Sequence, residues 1–515
     1  MKIKDIHVGN YVLSKNPDGK LEYKKVTNVF NNGKQTVYSF TLKSGGKIIS
    51  TFDHKVLTEF DTFEPIGSVK KIKTLNGIDE VSSCEQLGNQ QVYDIEVSDN
   101  HNFVVNHCFT VQNCRAGSQT PFSSINYGTG CTEEQRMIIN AVLDATDAGL
   151  GMGETPIFPV QIFRVHDGVN SKPGDPNYDL FQKACAVSAK RLFPNFEFLD
   201  VPYNLQYYKP GHPETEIAVM GCRTRVIGNV IKANEVYPGR GNFSFTTINL
   251  PRLGIEAKGN WDKFYTAFDA MIDLAKNQLL DRFEFISHKH VYNYPFLLEQ
   301  GVWVDSEKLN PEDEVGEILK NCSISIGFIG LAECLKAMLG KHHGESSDAD
   351  DHGYKIIKHL RDKTDGFTKS YNLNFSTFAS PAEGLSGRFV KLDKKKYGVI
   401  SGVTDREYYT NSFHVPVYYS IKASDKMRIE GKYHELCNAG AITYIEADGD
   451  MTANVPAFEA LVHYAKKCGI SYFSINHAVD RCPVCGYTGV IGDECPRCGF
   501  REGVGTKVER LRGCK

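Results

Sequence analysis

Hydrophobic and polar positions along the chain change rhythm near residue 114. Upstream, short runs rich in β-branched and aromatic residues recur: VTNVF, QTVYSFTL, KIISTF, QQVYDIEV and NFVVN. Such runs suit a pleated, half-buried surface. NPDG, NNG and SGG lie between them and read as turns. Residues 1–113 are therefore expected to be an all-β domain. Downstream the pattern alternates between helical and strand periods. Phe264, Phe268, Met271, Ala275 and Leu279 recur at helical spacing, as do Phe458, Leu461, Val462 and Ala465. PIFPVQIF, NFSFTTINL, SISIGFIG, AITYIEA and ISYFSIN read as strands between them. That alternation predicts an α/β domain with parallel strands over 114–478. Residues 479–515 form a third segment, with a Gly- and Cys-rich knuckle over 480–500.

Composition narrows the class. A chain of 515 residues can bury several cores. Its 41% hydrophobic and 23% charged residues are ordinary for globular protein. A formal net charge of −3 gives no basic field to draw nucleic acid or an anionic membrane. No run approaches the roughly 18 apolar residues of a membrane span. The opening MKIKDIHVGNYV lacks a signal peptide's apolar core. A cytoplasmic location, without membrane or direct nucleic-acid partners, is expected. The 15 cysteines are not spaced like a small secreted disulfide framework. In a reducing compartment they point to metal binding and thiol chemistry.

The junction VQN-CRAGSQ pairs Asn113 with Cys114. Alone this dipeptide means little. Upstream, GGKIISTFDHKVLT carries Thr51 and His54, and QQVYDIEVSDNHNF carries Asp94 and His101. Asn113 can cyclise onto its own carbonyl and cut the chain. His101 has an imidazole suited to the accompanying proton transfer. Cys114 can hold an acyl chain as a thioester before an S-to-N shift. In this order the motifs resemble those of inteins of the Hint fold over nearly all of 1–113. The resemblance implies that Thr51 and His54 polarise the upstream junction and that Asp94 assists the first acyl shifts. Gln112 departs from the His usual before the terminal Asn. No Cys or Ser precedes Lys2 to perform the first shift, so a split intein is expected. Its amino-terminal piece would lie on another polypeptide, and splicing would proceed in trans.

From Cys114 onward, CRAGSQTPFSSINYG, GLGMGETPIFPVQIF, GDPNYDLFQKAC, MGCRTRV, PGRGNFSFTTINLPRLG, IGFIGLAECL, AEGLSGRF and GVTDREYYTNSFHVP follow one another. In this order they resemble the anaerobic (class III) ribonucleoside-triphosphate reductases. The resemblance implies part of a ten-stranded radical-enzyme barrel that reduces the ribose 2′-hydroxyl. A lone Cys between Gly and Arg is ordinarily a packed thiol. Here the resemblance makes Cys222 the thiyl-radical residue, at the tip of a loop that Gly221 can turn. It further implies a glycyl radical made by a radical-SAM activase, formate or a dithiol as reductant, ATP and dNTP effectors, ribonucleoside triphosphates as substrates, and a homodimer. The family's radical glycine sits in Arg-x-x-Gly-Tyr. Here Arg510-Leu511-Arg512-Gly513-Cys514 lacks the aromatic, so the radical glycine is expected outside this chain. The regulatory cone and half of the barrel would be joined to Cys114 by splicing.

Ser123, Ser124 and Asn126 can hydrogen-bond ribose or phosphate, or cap a strand end. Gly239 and Gly241 can admit a phosphate or form a turn. His342 and His343 are expected in a solvated loop. Cys482, Cys485, Cys495 and Cys498 form two CxxC pairs with nine residues between them. Four thiolates favour tetrahedral zinc, with iron as competitor. A structural zinc ribbon follows. Two rivals stand beside the reductase: another glycyl-radical enzyme, which commonly pairs adjacent cysteines where MGCRT has one, and a non-catalytic zinc-ribbon protein.

Overall fold

In a computed structural model the chain falls into two compact units, Met1–Pro121 and Phe122–Lys515. The structure describes all residues except 1, 17–18, 61, 99, 101, 107–108, 113–122, 152, 222, 227, 295–296, 299, 503–507 and 512–515.

The first unit is all-β, as its sequence pattern predicts. Its strands are β1 (Tyr11–Lys15), β2 (Leu21–Leu42), β3 (Lys47–Ser50), β4 (Lys55–Leu57), β5 (Phe63–Pro65), β6 (Lys71–Thr74), β7 (Gly77–Val97), β8 (Asn102–Val105) and β9 (Phe109–Gln112). They pair in the order β1-β2-β7-β6-β9-β4-β5, with β3 on β2 and β8 on β9. The backbone of the unit is the antiparallel ribbon of β2 and β7, running from Val26↔Val97 to Leu42↔Val81. NNG is not a turn. Asn31–Gly33 lies inside β2, where the register to β7 slips between Asn31 and Lys34 and Gly33 takes φ +72°. Glycine adopts that backbone at little cost, so the same residues that make hairpins can instead make a bulge. SGG does turn, between β2 and β3. Val26, Phe40, Ile72, Ile95, Phe109 and Val111 fill the core beneath.

The second unit is α/β. Its strands are β10 (Ser124–Tyr127), β11 (Val160–Val165), β12 (Asn195–Phe198), β13 (Asn242–Asn249), β14 (Ser323–Ile329), β15 (Asn374–Ala379), β16 (Thr443–Glu446) and β17 (Tyr472–Asn476), then the short β18 (Val479–Arg481), β19 (Thr488–Gly489) and β20 (Glu509–Leu511). One sheet runs β10-β11-β12-β17-β16 and another β13-β14-β15. All pairs in them are parallel except β12 with β17. The sheets join where Ala439 N donates to Thr377 O (3.0 Å) and Ala379 N to Gly440 O (3.2 Å). The result is a wall of eight strands with β10 and β13 as edges among the described residues. β14 is buried along its whole length, and a Cβ on its Gly327 would overlap the Ser380 hydroxyl.

Helices cover the wall. Trp261–Ser287 begins where the Asn260 side chain accepts from Lys263 N (2.9 Å), satisfying one orphan amide of its first turn. Its buried face is Phe264, Phe268, Ile272, Ala275 and Leu279. Ile272 takes the place that spacing assigned to Met271, which is only partly buried. Val455–Lys467 buries Phe458, Val462 and Ala465, whereas Leu461, read with them, is only partly buried. His342 and His343 correct the sequence reading. They are 3% and 1% exposed, and His343 Nε2 lies 2.7 Å from Phe413 O. The SDADDHG stretch that follows them opens the helix Ser347–Tyr371.

Candidate functional site

In the first unit, β9 lies between β8 and β4. The β8–β9 ladder runs to Asn102↔Gln112, and Val56 of β4 pairs with Val111. The carboxyl end of β9 is thereby flanked by the chain just after His101 and just after His54. Thr51 and His54 share one turn, with His54 N donating to Thr51 O (3.3 Å). Burial holds the His54 imidazole below its ordinary value, against the pull of Asp53. Asp94 is buried on β7, opposite Phe30, and its carboxylate accepts from Ile95 N (2.8 Å). His101, Asn113 and Cys114 lie outside the described residues.

In the second unit, the segment Val219–Val226 makes a tight loop. Met220 N donates to Thr224 O (2.6 Å) and Thr224 N to Met220 O (3.1 Å), closing its neck. Gly221 stands at φ +58°, a conformation that favours glycine. Cys222, between the two halves of this loop, is outside the described residues, as is Gly513. The loop is held by β10. The Asn126 amide donates to Val219 O (2.8 Å) and accepts from Val219 N (3.1 Å), in the manner of a paired strand. Ser124 Oγ accepts from Gly221 N (3.1 Å). These side chains thus engage the loop's backbone, while Ser123 is exposed. On the other flank Arg225 N donates to Ala439 O (2.9 Å), and a Cβ at Gly440 would overlap the Arg223 carbonyl.

Buried ionisable groups surround the loop. Arg225, 2% exposed, donates to Asn204 Oδ1 (2.7 Å) and to the carbonyls of His434 and Cys437. Burial, with the Arg225 charge, pushes His434 down to about 3, and its ring nitrogens rest on Ser471 and Thr443 hydroxyls. Glu197 of β12 is fully buried. Burial pushes its carboxyl up to about 8, against the pull of Arg164 and Arg225. Gly239 and Gly241 belong to a packed turn. Arg240 between them spends its guanidinium on the carbonyls of Asn321, Val236 and Gly228, and Val304 N donates to Gly239 O (2.8 Å).

The four cysteines of the knuckle converge: their sulfur atoms all lie within 4.8 Å of one another. Cys482 Sγ is 3.6 Å from Cys498 Sγ, and Cys485 Sγ is 3.7 Å from Cys495 Sγ. Zinc–sulfur bonds of about 2.3 Å put tetrahedral thiolates about 3.8 Å apart, so the donor set fits zinc. Each CxxC turns back on itself, with Gly486 N donating to Cys482 O and Gly499 N to Cys495 O. Burial resists ionisation of Cys482, but the backbone amides of Cys485 and Val484 outweigh it and bring the thiol down to about 7.

The profile of the family described as anaerobic ribonucleoside-triphosphate reductase matches residues 100–513. The chain belongs to this family. The Escherichia coli K12 anaerobic ribonucleoside-triphosphate reductase is 34% identical over 379 residues, which cover 73% of this chain and 52% of that protein. The enzyme of Enterobacteria phage T4 is 33% identical over 452 residues, covering 86% of this chain and 70% of its own. The chain thus spans about half the length of the bacterial relative. A crystal structure of the anaerobic ribonucleotide reductase from Thermotoga maritima, in complex with dATP and CTP, superposes with a TM-score of 0.52 at 18% identity. The superposition covers 76% of this chain and 63% of that one and indicates a shared fold.

Membership in the reductase family gives the loop and the thiolate cluster their context, and it covers the segments singled out from Cys114 onward. Sequence reasoning missed Arg164, Glu197, His414 and Glu430. A signal existed for the first two: each is a charged residue inside an otherwise apolar strand, VQIFRV and NFEF. Charged residues are almost never fully buried unless paired. Among the described residues no helix is long and apolar enough to cross a membrane.

Proposed function

We propose that this chain supplies the carboxyl-terminal part of an anaerobic ribonucleoside-triphosphate reductase and is joined to the rest by protein splicing. The observation that carries the reductase reading is the loop Val219–Val226, clamped by Ser124 and Asn126 of β10, in a chain of this family. A radical residue must be held within a narrow range of positions over the sugar, and side-chain hydrogen bonds to backbone on rigid elements achieve that. Cys222 would carry the thiyl and take the 3′ hydrogen of a ribonucleoside triphosphate. The 2′-hydroxyl then leaves as water. Two electrons come from formate, which becomes carbon dioxide, or from a dithiol, which becomes a disulfide. A glycyl radical, raised by a radical-SAM activase, would supply the oxidising equivalent that starts each cycle. ATP and dNTP effectors, a homodimer and a cytoplasmic location belong to the same reading. Zinc held by Cys482, Cys485, Cys495 and Cys498 would fix the carboxyl-terminal ribbon.

The test is nucleotide reduction after the chain is joined to the missing part and activated without oxygen. Cys222→Ala is expected to abolish deoxynucleotide formation while the protein remains folded. Turnover near the parent rate would remove Cys222 from the reaction.

The splicing reading rests on the flanked end of β9. Its antiparallel pairings put Gln112, the residue before Asn113, level with Asn102, and Val111 level with Val56. Asn113 would cyclise there, with His101 moving the proton, and Cys114 would receive the acyl chain. Thr51, His54 and Asp94 would act on the upstream junction. Burial at His54 favours the uncharged ring, whose unprotonated nitrogen can accept a hydrogen bond. Asn113→Ala is expected to block release at the junction and leave zinc bound; unchanged release would sink Asn cyclisation.

A further inference from the structure

Arg223 follows Cys222 in the chain and is 3% exposed. Its Nε and Nη1 have no hydrogen-bond partner among the described residues, and no described carboxylate pairs with it. The other buried guanidiniums nearby are better served, although Arg225 Nε also lacks a partner. Arg225 rests on an amide oxygen and two carbonyls, and Arg240 on three carbonyls. An unpaired buried cation is costly because desolvation is not repaid by an opposite charge.

A second unsatisfied group packs against the same ring. The Arg223 guanidinium lies 5.8 Å from the centroid of the Tyr444 ring, and the His414 ring lies 5.7 Å from it. His414 is 5% exposed. Its Nδ1 lies 3.0 Å from Glu430 Oε2, so that nitrogen donates to the carboxylate. Nε2 is left buried without a partner. The Glu430 carboxylate already serves His414, Val415 N (2.9 Å) and Lys426 (4.0 Å), so its charge is spent away from Arg223.

We propose that Arg223 and His414 form a binding subsite for a small oxyanion, adjacent in the chain to the radical cysteine. The anion's oxygens accept from Arg223 and neutralise it, and a proton shared with the anion joins it to His414 Nε2. Both groups lie within 6 Å of the Tyr444 ring centroid, and the Arg223 charge acts directly on the His414 imidazole, so one anion can be offered to both. Two sources offer that chemistry: a free carboxylate, or a phosphoryl group of a nucleotide. The subsite deepens the reductase reading, but the binding itself does not depend on turnover.

The experiment titrates the full chain with sodium formate, and separately with sodium phosphate, at constant ionic strength held by sodium chloride. Thermal unfolding and line broadening of carbon-13 formate are read in parallel. A saturable rise in melting temperature is expected, with apparent affinity weakened about tenfold or more in Arg223→Gln and in His414→Asn. A response to formate alone assigns a free carboxylate. A response to phosphate, reproduced by CTP, assigns a nucleotide phosphoryl group. If neither anion gives a saturable response, or the response persists in both variants as an adventitious ion only, the proposal falls. Should Arg223→Gln not fold, His414→Asn and the charge-preserving Arg223→Lys decide: undiminished affinity in the first overturns the subsite, and retained binding in the second together with loss in the first upholds it. Because no step requires radical chemistry, an inactive joined enzyme that still binds the anion at Arg223 would fault the reductase reading and leave the subsite standing.

Discussion

Glu197 lies between Phe196 and Phe198 on β12, with both carboxylate oxygens buried and without a hydrogen-bond partner among the described residues. Its carboxyl is raised to about 8, so the folded protein carries it protonated at neutral pH. The unfolded chain, with an ordinary carboxyl near 4.5, releases that proton. The stability tied to the folded protonation is therefore complete below about 4.5 and is lost as pH rises towards 8. Glu197→Gln keeps the shape and removes the titration. Its melting temperature is expected to match the parent near pH 5 and to exceed it increasingly up to pH 8, by thermal unfolding of the full chain. A constant difference across that range would mean that Glu197 is ionised in the fold. At this scale the sequence was legible where spacing alone fixes chemistry. The four cysteines of the ribbon meet because each CxxC is a local turn. Ser124 and Asn126 were read as able to bond ribose or phosphate or to cap a strand end; their partners at Val219 and Gly221 lie more than 90 positions away, and no local pattern encodes them. His342 and His343 were read as solvated because their neighbours are polar, whereas residues distant in sequence pack on them: Tyr419 on His342, and Phe413 and Tyr433 on His343.

The element with the largest leverage on the loop is β10, only four residues long. It pairs with β11 on one side and spends its own side chains on Val219 and Gly221. Asn126→Ala removes both bonds to Val219 and leaves its amide and carbonyl to find other partners, at a local cost of about 1–3 kcal/mol. In the joined, activated enzyme, kcat is expected to fall about tenfold or more with KM little changed, because the loop and not the substrate loses its anchor. A rise in KM at constant kcat would instead return Asn126 to substrate binding. The strands β10, β12 and β15 were not read as such, whereas β11, β13, β14, β16 and β17 were legible as apolar runs. Their order was not, because parallel pairing depends on crossovers that apolar runs do not specify. The bulge at Gly33 illustrates a further limit: NNG suits a hairpin and a slipped ladder equally, and the long partner β7 selects the second.

For the whole molecule, two units of different architecture share one chain, and the ribbon belongs to the second. Arg481 pairs with Glu154 (3.0 Å), Thr488 Oγ1 donates to Gly153 O (3.4 Å), and His477 Nε2 lies 2.9 Å from Ser188 O. The thiolate cluster is thereby tied to the body that carries the loop. Chelation of the bound metal, or Cys485→Ser, is expected to release zinc and lower the melting temperature of the second unit by several degrees, leaving the all-β unit unchanged. Metal analysis together with calorimetry checks this; intact zinc in Cys485→Ser would remove that residue from the ligand set. The rhythm changes near residue 114, while the two compact units divide between Pro121 and Phe122.

The eight-stranded wall ends in β10 and β13, each paired with a single strand among the described residues: β10 with β11, and β13 with β14. Phe245 on β13 is 44% exposed beside such a rim. Rims of this kind are adhesive, and they template further strands from whatever polypeptide is at hand. Copies of this polypeptide made alone are therefore expected to associate through those rims, and a rise in apparent mass with concentration checks it.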